Sequence, residues 1–168
     1  EQCNFRGSLE EMQDLGENGR YILDQLGETF TMEDLNRVLF QFIHDRESFK
    51  DVDTTVSHFR MIAERNYTVT FSPEKKFSER ILWPVSYAEW RGMEDARFVQ
   101  FQHDDGSWQY FATYTAFDGM GVSQQLLSTR DFLSFETHPL AGMAAKGKGL
   151  AIFPRRIGGV YAALSRAD

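Results

Sequence analysis

The spacing of apolar residues changes near Tyr67, from steps of three and four to steps of two. No one kind of element satisfies both periods, because a helix repeats about every 3.6 residues while a strand alternates faces at each residue. Upstream, Met32, Leu35, Val38, Leu39, Phe42 and Ile43 form one helical stripe, and Val56, Phe59, Ile62 and Ala63 form another. Ser8 and Glu11 have the spacing of a capping box for a short helix Leu9–Leu15 that Gly16 stops. A second short helix is expected over Arg20–Leu26, and Thr31 with Asp34 opens the third. The stripes read as core-facing surfaces.

Downstream, residues 67–71, 80–85, 97–102, 108–117, 122–129, 150–157 and 160–167 are rich in aromatic and β-branched side chains and are expected to be antiparallel strands. His103-Asp-Asp-Gly-Ser107 and Gly158-Gly159 have hairpin-turn chemistry, and Asp118-Gly119 with Gly121 separates the next pair. The expected fold is mainly β with an N-terminal helical segment, divided into residues 1–65 and 66–168.

A formal net charge of -7, from 18 Lys+Arg against 25 Asp+Glu, argues against nucleic-acid or anionic-membrane partners. No apolar run has the length of a membrane span, and no signal pattern opens the chain. Cys3, the sole cysteine, has no internal disulfide partner, which fits a reducing, cytoplasmic setting. His44, His58, His103 and His138 show no paired spacing, so no metal site is expected. Because the chain starts at Glu1 rather than Met and stops directly after a strand-like run, an internal fragment is expected.

Glu94 and Asp95, with Arg97 two places on, concentrate charge at the mouth of a strand. The unit 96–101, turn, 110–116 is echoed by 150–153, turn, 160–167, at an offset on the order of fifty residues, a spacing like that of propeller blades. In paired hairpins of this kind Asp95, Lys148, Asp118 and Arg166 fall at one end of the sheets. Strict alternation places Glu94 and Asp95 on opposite faces, so one of them is expected to catalyse and the other to anchor. Without a wider motif, the acid pair reads as a paired or solvated loop end, and Lys146 and Lys148 among glycines as a solvated loop.

Gly92-Met-Glu-Asp-Ala-Arg97, Tyr114-Thr-Ala-Phe-Asp-Gly119, Ser128-Thr-Arg-Asp-Phe132, Gly149-Leu-Ala-Ile-Phe-Pro154 and Leu164-Ser-Arg166 together resemble glycoside hydrolase family 130, the mannoside phosphorylases and related β-mannosidases. The resemblance runs over residues 80–168 and implies part of a five-bladed β-propeller, about two blades, with the helices as an insertion. It implies inverting phosphorolysis of β-mannosides, with Asp95 as general acid delivering its proton through a hydroxyl of the bound mannosyl unit. Glu94, Arg97, Tyr114, Asp118 and Asp168 then contact sugar, and Lys148 and Arg166, with Arg155 or Arg156 assisting, hold phosphate. Inorganic phosphate is a co-substrate, and no cofactor is implied. Two residues depart from the family pattern: Ala96 stands where proline is usual, and Lys148 where phosphorylases often carry arginine. A lysine neutralises phosphate as a point charge without arginine's planar two-pronged grip. The rival readings are a β-mannoside hydrolase with its second acid elsewhere, and a non-catalytic sugar-binding module. Trp83, Trp90 and Trp108 are candidate sugar platforms, Trp83 being expected to be buried because its neighbours are apolar. An open propeller exposes strand edges, which gives a homo-oligomer a route to form.

Overall fold

The computed structural model describes residues 2–13, 15–45 and 50–166, and the chain divides into two compact units, Glu1–Ala63 and Glu64–Asp168. In the first, helices α1 (Gln2–Glu11), α2 (Glu17–Gln25), α3 (Met32–Asp45) and α4 (Val52–Glu64) enclose one apolar core. The stripes behave as their spacing requires. Leu35, Val38, Leu39 and Phe42 of α3 are buried, as are Val56, Phe59, Ile62 and Ala63 of α4, while Met32 and Ile43 lie at the exposed margins of the α3 stripe. Thr31 Oγ1 accepts the Asp34 N–H and Asp34 Oδ2 accepts the Thr31 N–H, a reciprocal cap that starts α3. The corresponding expectation for Ser8 is corrected: α1 already begins at Gln2, so Ser8 lies inside the helix with its hydroxyl buried. The Glu11 side chain lies outside the described residues.

The second unit is mainly β. Strands β1 (Thr68–Thr70), β2 (Gly92–Gln102), β3 (Trp108–Phe117), β4 (Val122–Thr129) and β5 (Ser134–Pro139) form one open antiparallel sheet in the order β1-β5-β4-β3-β2. A two-stranded hairpin follows, β6 (Ala151–Ile152) with β7 (Ala163–Leu164). One sheet face carries Ala112, Tyr114, Ala116, Leu127 and Phe135, against which Phe71, Leu82, Ala88, Met93 and Phe132 pack. The β2–β3 turn closes as its composition requires: Asp105 Oδ1 accepts the Ser107 N–H at 2.9 Å, and Gly106 takes φ 83°.

Three expectations change. Residues 80–85 are not a strand, since Pro84 lacks an N–H and no neighbouring strand pairs with this segment among the described residues. Its period-two pattern survives without a ladder: Leu82 packs inward while Ile81, Trp83 and Val85 face solvent, so Trp83, at 70% exposure, is not buried. The hairpin after residue 150 is regular over only two residues on each side. The sequence reading had no counterpart to β5, whose inward apolar side chain Phe135 is set among serine, glutamate, threonine and histidine.

Candidate functional site

β2 and β3 pair regularly from Gln102↔Trp108 back to Arg97↔Thr113, and again at Glu94↔Thr115. Between these pairs Asp95 and Ala96 together oppose Tyr114, which is a β-bulge, and Asp95 takes the left-handed φ of 55°. Aspartate tolerates that region better than most residues, yet the conformation still carries strain on the order of 1 kcal/mol. The bulge breaks the alternation that the sequence suggested. Glu94 and Arg97, three residues apart, now project from the same face, and both meet one short segment, residues 147–150.

Lys148 Nζ donates to Glu94 Oε2 at 2.7 Å, and both side chains are partly exposed. Arg97 Nη1 donates to the Gly149 carbonyl at 3.3 Å. From β4, Gln124 Nε2 donates to the Gly147 carbonyl at 2.8 Å and to Thr115 Oγ1 at 3.0 Å. From β3, Thr113 Oγ1 donates to the Leu150 carbonyl. Residues 147–150 thus form a strap laid over β2, β3 and β4, with Lys148 between two glycines at φ 84° and 83°. The strap is half-buried around Lys148, unlike the solvated loop that the lysines and glycines suggest without the wider motif. Gly149 is required twice over, because a Cβ there would sit 3.1 Å from Arg97 Nη2 in a backbone region that disfavours side chains.

The remaining candidates separate. Asp95 is exposed on the bulge beside Glu94, and among the described residues no partner holds its carboxylate. Arg166 lies exposed two places past Leu164, the residue that ends β7 opposite Ala151. Asp118 ends the β3–β4 pair at the same end of the sheet, but its Oδ1 accepts the N–H groups of Gly121 and Met120, each at 2.7 Å. Those bonds form the turn and hold its carboxyl below the usual carboxylate range. Tyr114 is 2% exposed on the opposite, core-lining face, so its ring presents no surface for stacking on a sugar. Arg156 pairs with Asp104 at 2.9 Å and lies over the Tyr161 ring. Asp104 belongs to the far turn, on the order of 25 Å from Glu94 at ~3.3 Å per residue, so the phosphate role expected for Arg156 is separated from Lys148 by the length of the strand. Asp168 lies outside the described residues.

Over 113 residues the chain is 30% identical to the beta-1,2-mannobiose phosphorylase of Listeria innocua. The match covers 67% of this chain and 29% of the relative. No family model matches, and no solved structure matches. The similarity is therefore to a mannoside phosphorylase, on a chain that spans under a third of that relative's length.

Among the described residues, the most deeply buried carboxylate, which the sequence reading does not single out, is Glu89, at 0% exposure. Its Oε1 accepts the hydroxyls of Tyr67 at 2.8 Å and Tyr114 at 2.5 Å, and its Oε2 accepts the Val85 and Ser86 N–H groups, each at 2.9 Å. Burial pulls the Glu89 carboxyl upward, but the Tyr114, Ser86, Val85 and Tyr67 donors outweigh it and the net shift is downward. The same burial and the neighbouring carboxylate drive both tyrosine hydroxyls far above their ordinary range. Ser86-Tyr-Ala-Glu89 has the spacing of a capping box, a signal available in the sequence. Gln124, Thr113 and Thr115 carried no such signal, because only the fold shows that these polar strand residues are buried. Among the described residues no group of three or more potential metal ligands occurs, and no helix is long and apolar enough to cross a membrane.

Proposed function

We propose that the protein acts in phosphorolysis of β-mannosides, with Asp95 as general acid and Lys148, Arg97 and Arg166 forming the cationic side of the site. The observation that carries this reading is the Lys148–Glu94 ion pair, which brings a cation from 54 residues away to the residue beside Asp95. The similarity to a mannobiose phosphorylase supports the same chemistry. In the proposed step a phosphate oxygen bonds to the anomeric carbon as the glycosidic C–O bond breaks, and the proton of Asp95 passes through a mannosyl hydroxyl to the departing oxygen. Positive charge is needed to hold the phosphate dianion against repulsion by the Glu94 carboxylate, Asp95 being protonated and neutral when it acts as the acid. Three basic side chains against that one carboxylate give the site a net positive balance. The open sheet and the β6–β7 hairpin would belong to successive blades of a propeller, and the sugar would enter where both hairpins begin.

The test is incubation of the full-length gene product with β-mannosides, with and without inorganic phosphate. Mannose 1-phosphate formed only with phosphate is the expected result. Free mannose released equally in both would assign hydrolysis instead, and no turnover of any β-mannoside would reject the enzyme reading.

A further inference from the structure

We infer that Gln124 and Thr113 are positioning residues that set the affinity for inorganic phosphate by fixing the strap that carries Lys148. The inference rests on the phosphorolysis reading and deepens it. Lys148 is flanked by Gly147 and Gly149, both in left-handed conformations, and a lysine on a glycine-hinged segment has no fixed place of its own. Its place comes from the backbone bonds on either side. The Gly147 carbonyl takes an N–H from Gln124, and the Leu150 carbonyl takes the hydroxyl proton of Thr113. These two anchors come from different strands and bracket Lys148 in sequence, so neither residue can shift the strap without tilting the ammonium group.

Burial supports a specific role over simple packing. Gln124 is 2% exposed, and Thr113 and Thr115 are each 1% exposed. Polar side chains are costly in such positions unless every donor is used, and apolar residues would fill the same volume without that cost. Gln124 uses both amide hydrogens, one on the strap and one on Thr115, which also fixes which end of the amide is nitrogen. Glu94 occupies one of the three N–H donors of Lys148, so donors remain for an anion.

The experiment compares Gln124→Met, Thr113→Val and Thr113→Ser in the full-length protein, reading phosphate binding by calorimetry and the KM for each substrate. Gln124→Met keeps size and removes both donors. Gln124→Met and Thr113→Val should each weaken phosphate binding about tenfold or more, since small misplacements of a binding group cost up to about a hundredfold. The KM for the mannoside should change less than that for phosphate, because the two anchors bond the strap backbone on either side of Lys148 and neither bonds Glu94 or Arg97. Thr113→Ser, which restores the hydroxyl, should bind phosphate as the wild type does. If Gln124→Met fails to fold, the Val/Ser pair at Thr113 decides. Wild-type phosphate binding with equal affinity in the folded variants would overturn the inference and leave phosphorolysis standing. A wild-type protein that binds no phosphate would overturn both, and so the two failures are told apart.

Discussion

Replacing Glu89 tests whether a carboxylate without a cationic partner can organise the second unit. Leu at this position fills much the same volume but accepts nothing. The Tyr67 and Tyr114 hydroxyls both donate to Glu89 Oε1 and so converge on one point, where rotation toward each other lets them partly recover. The Val85 and Ser86 N–H groups do not, since both donate to Glu89 Oε2. A buried orphan donor costs about 1–3 kcal/mol, and with Ser86 buried and Val85 only partly so, Glu89→Leu should lose about 3 kcal/mol of stability. Gln behaves differently. Its carbonyl oxygen can keep the two backbone N–H groups while its amide donates to the tyrosine hydroxyls, which rotate to accept, for a loss of about 1 kcal/mol. Urea unfolding followed by tryptophan fluorescence reads this unit selectively, because Trp83, Trp90 and Trp108 all belong to it. The pH dependence gives an independent reading. The native Glu89 carboxyl sits below its ordinary 4.5, so the folded state binds fewer protons than the unfolded state in that window. Its contribution is therefore full above about pH 4.5 and is lost as pH falls through the lower native value, so the gap between wild type and Glu89→Gln should narrow on acidification. A Leu variant within about 1 kcal/mol of wild type, or a Gln variant as damaged as Leu, would refute the reasoning.

Asparagine tolerates the left-handed region as aspartate does, so Asp95→Asn should keep its urea midpoint while phosphorolysis falls about 10²–10⁴-fold; equal loss of fold and activity would point to a structural role. Asp95→Gly should match or exceed wild-type stability by up to about 0.5 kcal/mol, because relief of the φ of 55° is partly offset by glycine's added chain entropy, and be just as inactive; a loss of more than about 1 kcal/mol counts against strain at the bulge. Gly149→Ala should cost about 1–2 kcal/mol and raise the KM for phosphate, because its Cβ displaces Arg97 from the strap; an unchanged KM would show that Arg97 and the strap are uncoupled.

The legible parts of the fold were those where local chemistry and tertiary environment agree. β3 and β4 follow the expected bounds because both strands carry period-two apolar residues between well-formed turns. Residues 80–85 carried the same period and formed no ladder, since alternation reports which side is buried and says nothing about a neighbour to bond. β5 failed in the opposite sense: its hydrogen bonds to β4 and β1 make it a strand despite a polar composition. For the site, charge at the head of β2 was visible in the sequence, as was the return of Lys148 to it. The phosphate role expected for Arg156 came with the resemblance, and the partner its side chain takes, Asp104 of the far turn, is set by a tertiary contact that the motif does not encode. Gln124 was silent, since burial gives a polar residue its meaning and burial of a strand's polar face is not a local property, whereas Glu89 had its capping-box spacing but nothing local to show its burial.

Charge at the mouth of β2 has a second possible purpose, because β2 is an edge strand and edges are commonly blunted by charges and bulges. The two purposes differ in what they require. Blunting an edge needs solvated side chains and an interrupted ladder, and Asp95 on its bulge supplies both without any partner. It does not need Glu94 to reach a lysine 54 residues on, nor Arg97 to bond the next residue's carbonyl. Nor does it need three buried polar side chains beneath the strap that holds that lysine. An exposed ion pair contributes under about 1 kcal/mol, too little to explain this apparatus as stabilisation. The cost of burying Gln124, Thr113 and Thr115 is accounted for when the geometry of Lys148 against Glu94 is itself what the fold maintains.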